Sequence, residues 1–133
     1  MSNIATFNHK GILINVSKSY LDEGKDIYEA VRFAWRLKKE RANEYPFVFA
    51  LVGGKIIDVF AVSEWRDVSE ENFPEFAHRF VKQDKGRIGF VGKLADFDVR
   101  LAYIGKDVPS EYRGQFPCRY IDPATGENEE VAE

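Results

Sequence analysis

Two apolar runs separated by a pair of glycines constrain this chain most. Phe47-Val-Phe-Ala-Leu-Val52 and Ile56-Ile-Asp-Val-Phe-Ala-Val62 are rich in β-branched and aromatic residues, and Gly53-Gly54 lies between them. Such runs favour strands, and two glycines supply the positive φ angles that a tight hairpin turn needs. Side chains alternate along a strand. Ile57, Val59 and Ala61 are therefore expected on one face, and Ile56, Asp58, Phe60 and Val62 on the other, with the strand ending near Trp65.

The flanking segments supply partners for that hairpin. Gly11 to Ser17 follows a polar leader and reads as a buried first strand. Asp26 to Leu37 has helical periodicity, with Ile27, Ala30, Val31, Ala34 and Trp35 on one face. Asp26 and Glu29 form a capping-box-like pair at its start. Ser69 to Phe80 is open between a short helical turn from Pro74 and a long excursion. Gly86 to Lys93 reads as a strand whose glycines permit a bulge or close backbone approach. Asp96 to Tyr103 is expected to be a short helix with Phe97, Leu101 and Ile104 on one face, ended by Gly105. Phe116 to Ile121 is the last expected strand.

The fold class that follows is α+β: a small, curved, mostly antiparallel sheet or partly closed β-barrel with flanking helices. Residues 1–121 are expected to form one globular domain, and 122–133 an acidic, flexible tail. At 133 residues and 44% hydrophobic, the chain can bury one core without disulfides or metal. Its single cysteine, Cys118, forms no internal disulfide, and the N-terminus has no signal-peptide pattern. The longest apolar stretch is about seven residues, too short to span a bilayer. The chain therefore reads as soluble and cytoplasmic, with no membrane partner.

Charge is unevenly spread. Residues 122–133 carry five acids and no base, leaving 17 acidic and 19 basic side chains in the other 121 residues, a body of +2. The tail reads either as a solvated terminus or as a shield over a basic face. One basic run holds Arg32, Arg36, Lys38, Lys39 and Arg41. A second, spread over residues 79–119, holds nine cations, among them Arg87, Lys93, Arg100, Arg113 and Arg119. Cations attract phosphate, and the interleaved aromatics offer stacking faces for bases. The alternative is a solvated helix face with lysines guarding strand edges. Trp35 precedes Arg36 and Trp65 precedes Arg66, each at an element end, so each is either packing or an aromatic wall for a flat ligand. The candidate ligand-binding set is Trp35, Arg36, Lys38, Trp65, Arg66 and Arg87.

Catalytic signatures are missing from the sequence. His9 and His78 lie 69 positions apart with no second ligand at useful spacing, so no zinc site and no cofactor are expected, while the plentiful Asp and Glu leave carboxylate-bound magnesium open. No Gly-x-Ser-x-Gly elbow occurs, Cys118 has no flanking nucleophile signature, and the glycines at 53–54 and 86–92 sit between or within strands.

Several stretches carry a resemblance. They are Ile12-Leu-Ile-Asn-Val, Tyr28-Glu-Ala-Val-Arg-Phe-Ala-Trp35, Ala50 to Trp65, Arg87-Ile-Gly-Phe-Val-Gly-Lys93 and Tyr103-Ile-Gly-Lys106. Over residues 11–121 the chain resembles a little-characterised bacterial domain sometimes found beside nuclease domains. It is also similar to the PUA-like barrels, the superfamily of the ASCH, EVE and YTH domains. The resemblance implies a small barrel that binds RNA, modified bases or nucleotides without catalysis. An aromatic cage holds the modified base in YTH-like members. Trp35 and Trp65 would stand in that role here, but no third cage residue is apparent. Three functions stay open: a non-catalytic module for RNA, DNA or nucleotide; a stand-alone protein-interaction or inhibitor domain; and a small nucleotide- or RNA-acting enzyme using His78 with Glu75.

Overall fold

A computed structural model describes residues 3–17, 20–21, 26–32, 35–69, 71–74, 86–115 and 117–131. Six strands form one open sheet: β1 (Gly11–Asn15), β2 (Phe47–Val52), β3 (Lys55–Asp67), β4 (Ile88–Leu94), β5 (Cys118–Asp122) and β6 (Glu127–Glu130), in the order β4-β3-β2-β1-β5-β6. Only β1 and β2 run parallel, and the crossover between them carries helices α1 (Ile27–Arg32) and α2 (Lys39–Ala42). A third helix, α3 (Phe97–Tyr103), joins β4 to β5. The chain is thus α+β with a mostly antiparallel, open sheet whose edges are β4 and β6.

Both faces of the sheet are covered. On the first, Ile12, Ile14, Val48, Ala50, Phe60, Trp65, Phe90 and Tyr120 pack with Ala30 and Val31 of α1 and Ala42 of α2. On the second, Leu13, Phe49, Leu51, Ile56, Val59 and Ile121 pack with Tyr103 of α3, Val108 and the leader residues Ala5 and Phe7. This two-sided burial explains why β1 and β2 read as continuous apolar runs rather than alternating ones.

The hairpin forms at Gly53 and Gly54, with φ of 58° and 79°. Its faces differ from strict alternation. Ala50 pairs with Asp58 but Leu51 with Ile56, so Ile57 is an extra, bulged residue. Ile56 therefore packs with Val59 and Ala61, and Ile57 with Phe60 and Val62, the reverse of the expected assignment. A second irregularity, at Ser63, lies between the Val62–Gly92 and Glu64–Val91 pairs and brings Trp65 onto the first face.

Other expectations are corrected. α1 is described over Ile27–Arg32, and the expected helix does not continue through Trp35 to Leu37. Trp35 is extended instead: it exchanges backbone hydrogen bonds with Ile88, and its indole N–H donates to the Val31 carbonyl at the helix end, 2.7 Å. Phe97, Leu101 and Ile104 do share one face of α3, but it points outward, because Val99, Ala102 and Tyr103 take the core side. The acidic segment is no loose tail among its described residues 122–131. It completes β5, turns, and returns as β6 against β5, anchored by ion pairs from Arg41 to Glu127 and Glu129, 2.5 and 2.6 Å. The excursion after Pro74 and the proposed pair Glu75 and His78 lie outside the described residues.

Candidate functional site

A cleft of about 410 Å3 lies on the first face, between the start of α1 and the β3–β4 edge. Its apolar walls come from Ile27, Tyr28, Phe60 and Leu94, and its polar groups are Asp26, Asp58 and Lys93. That size and mixture match small-molecule sites, which combine apolar walls with a few placed polar groups.

Each wall has a structural cause. Tyr28 is one turn before Arg32, and the Arg32 guanidinium lies 4.7 Å from its ring centroid. Arg32 is itself buried, donating through Nε to the Phe90 carbonyl. On the other side the Gly92 N–H donates to the Tyr28 hydroxyl, 3.0 Å, so the phenol is fixed from two directions. Gly92 is required there, since a Cβ would overlap the Ala61 carbonyl oxygen across the sheet. Phe60 stands 5.3 Å from Tyr28, and Phe90 and Trp65 continue the aromatic layer into the core.

Asp58 supplies the anchored charge. Its carboxylate accepts two bonds from Arg100 of α3, 2.9 and 3.3 Å, and one from the Val59 N–H, 2.8 Å. A carboxylate has about four acceptor positions, so capacity remains toward the cleft. Lys93 is exposed at the rim with no ion pair among the described residues. No group of three His, Cys, Asp or Glu side chains suited to a metal occurs among the described residues.

The residues singled out in the sequence gather elsewhere. The Trp35–Ile88 bridge sets Arg36 beside Arg87, and the Asp67–Ile88 and Arg66–Gly89 pairs bring Arg66 to the same end of the sheet. Arg36 and Lys38 line a groove of about 420 Å3 with Arg41 and Tyr120, but Glu129 and Glu130 line it too. Trp65 is only 1% exposed and offers no face to a ligand. Trp35 is half-buried against the core. Arg66 is paired with Glu64 at 2.5 Å and Lys39 with Asp67 at 2.9 Å.

The first basic run is thus largely committed: Arg32 is buried, and Lys39 and Arg41 are ion-paired. The second run is split between the two sides of the sheet, with Lys93 at the cleft and Arg113 and Arg119 in a separate hollow. Burial and a hydrogen bond to Glu127 push the Tyr45 phenol up to about 12, and the hydrogen bond from Arg41 holds Glu129 below the usual carboxylate value. Of the cations lining this groove, Arg41 is thus held by the carboxylates of the acidic strand.

The cleft was missed because its parts read as ordinary core. Tyr28 belongs to an amphipathic helix, and Phe60 to a strand. The one available signal was Asp58, a carboxylate in the middle of an apolar run. Comparison with protein-family models, curated proteins and solved structures found no match.

Proposed function

We propose that the chain is a non-catalytic nucleotide-binding module whose α1–β4 cleft takes the base. The observation that supports this is the meeting, in one cleft, of aromatic side chains, an anchored carboxylate and a rim lysine. Tyr28 and Phe60 offer apolar and ring contacts to a flat base. Asp58 accepts from a ring amino or imino group, and Lys93 neutralises a phosphate. The PUA-like resemblance points the same way. The test is calorimetric titration of nucleoside monophosphates and the matching nucleosides. Lys93→Ala is expected to weaken monophosphate binding about tenfold, equivalent to about 1.4 kcal/mol, and to leave nucleoside binding unchanged. Absence of binding to all of them, or equal losses for both ligand types, contradicts the reading.

A second reading, protein interaction, is favoured by the outward face of α3. Phe97 and Leu101 are 69% and 60% exposed, and Ile104 extends the same helix face at 39%. An open apolar patch of a few hundred Å2 commonly marks an interaction site. The partner this face fits is a second copy of the chain. Asp96 and Asp98 lie at one end of the stripe and Lys106 beyond the other, so an antiparallel α3–α3 pairing sets acid against base under a two-fold axis. Sedimentation should show a dimer that Leu101→Glu dissolves, and a monomer at high concentration removes this reading.

A further inference from the structure

We infer a second, separate binding site: a small oxyanion pocket on the opposite side of the sheet, built around Arg113 and Arg119. The hollow measures about 200 Å3 and lies over Leu13 and Leu51, beyond the carboxyl ends of the parallel strands β1 and β2. There the chain leaving β1 heads for α1 on the first face. The segment entering β5 arrives from a 3-10 turn, Ser110–Tyr112, whose Tyr112 packs on the second face. Chains that part in this way leave a crevice at strand ends, the place where open sheets commonly bind ligands.

Charge is what selects the ligand. Arg113 donates only to backbone carbonyls, through Nε to Val108 at 2.9 Å and through Nη2 to Gly54 at 3.5 Å. It has no carboxylate partner among the described residues. The Arg119 side chain is only 11% exposed and donates to Asn128 at 2.6 Å. It also forms a longer ion pair with Glu130, Nη2 to Oε2 at 3.7 Å. The Glu130 carboxylate lies against Gly114 at the wall of the hollow and answers Arg119, so Arg113 is the cation turned to a ligand. Asn15 also lines it; its Oδ1 accepts from the Ser17 N–H and hydroxyl, which leaves the amide NH2 as a donor. A Cβ at Gly54 would stand 2.9 Å from the Arg113 guanidinium, so glycine makes room for that head. The Arg113 guanidinium fork and an amide donor, with the Arg119 charge beside them, suit a phosphate or carboxylate group in a hollow of this volume.

Thermal unfolding at matched ionic strength tests this. Inorganic phosphate is expected to raise Tm above sodium chloride by at least about 3 °C at saturation. Arg113→Ala should abolish the difference, and Arg113→Lys, which keeps charge but loses the fork, should retain part of it. Lys93→Ala should keep all of it, which separates this pocket from the nucleotide cleft. Succinate in place of phosphate decides the source: the ion with the larger Arg113-dependent rise identifies a carboxylate or a phosphate ligand. No rise above chloride with either ion, or an undiminished rise in Arg113→Ala and Arg113→Lys, overturns the inference.

Discussion

The Trp65 indole lies against Phe90 with its centroid 5.1 Å away and its Nε1 without a hydrogen-bond partner among the described residues. Its contribution is therefore to stability rather than to ligand contact. Trp65→Ala is expected to destabilise the fold by about 3–5 kcal/mol, the scale of an aromatic deletion in a core. Trp65→Phe should cost clearly less, because it also removes a buried orphan donor that itself costs about 1–3 kcal/mol. Denaturant unfolding of the two variants checks the order, and equal losses would contradict it. Gly92 is a second residue whose role is steric. Gly92→Ala forces β3 and β4 apart at Ala61, displaces the N–H that holds the Tyr28 hydroxyl, and should cost about 1–3 kcal/mol.

At the scale of elements, β6 is held by electrostatics as much as by its ladder. It has no apolar alternation, and Arg41 binds both Glu127 and Glu129 while stacking 4.0 Å over Tyr120. The Glu129 carboxyl sits below its ordinary value of 4.5, chiefly through the Arg41 hydrogen bond. A lowered folded value stabilises the fold fully above the unfolded value, and that stabilisation is lost as pH falls through the folded one. Acidification from pH 5 downward should release β6 before the central strands. Amide exchange at Asn128–Glu130 that rises ahead of exchange in β1 and β2 is the expected result; simultaneous loss would contradict it. The physics of this strand also shows what a sequence can carry. The hairpin, β1 and the end of α3 at Gly105 are encoded locally, in turn glycines and apolar runs. The bulge at Ile57 and the pairing of Glu127–Glu130 are decided by contacts far along the chain, so Ile56 and Ile57 exchange faces and an acidic segment becomes a strand. For Trp65 the sequence left packing and a ligand wall open; the choice for core comes from β3 running on to Asp67 with its irregularity at Ser63.

Across the whole molecule, a central sheet buried on both sides leaves its usable surfaces at edges and ends. The α1–β4 cleft lies at one end of β3–β4, the basic groove at the other end, and the hollow at Arg113 and Arg119 on the opposite side. The sequence pointed to anion and base binding but placed it on the residues around Trp35, Arg36 and Arg87. Only the long-range Asp58–Arg100 pair and the α1–β4 packing assemble the cleft, and neither leaves a local pattern. No described helix is long and apolar enough to cross a membrane. The most direct measurement is an NMR titration of 15N-labelled protein with nucleoside monophosphates. The account predicts saturable shifts of the Tyr28, Gly92 and Lys93 amides, with those around Arg36 and Arg87 unmoved. Shifts confined to the Arg36–Arg87 end, or none at all, would contradict a cleft built to hold a base.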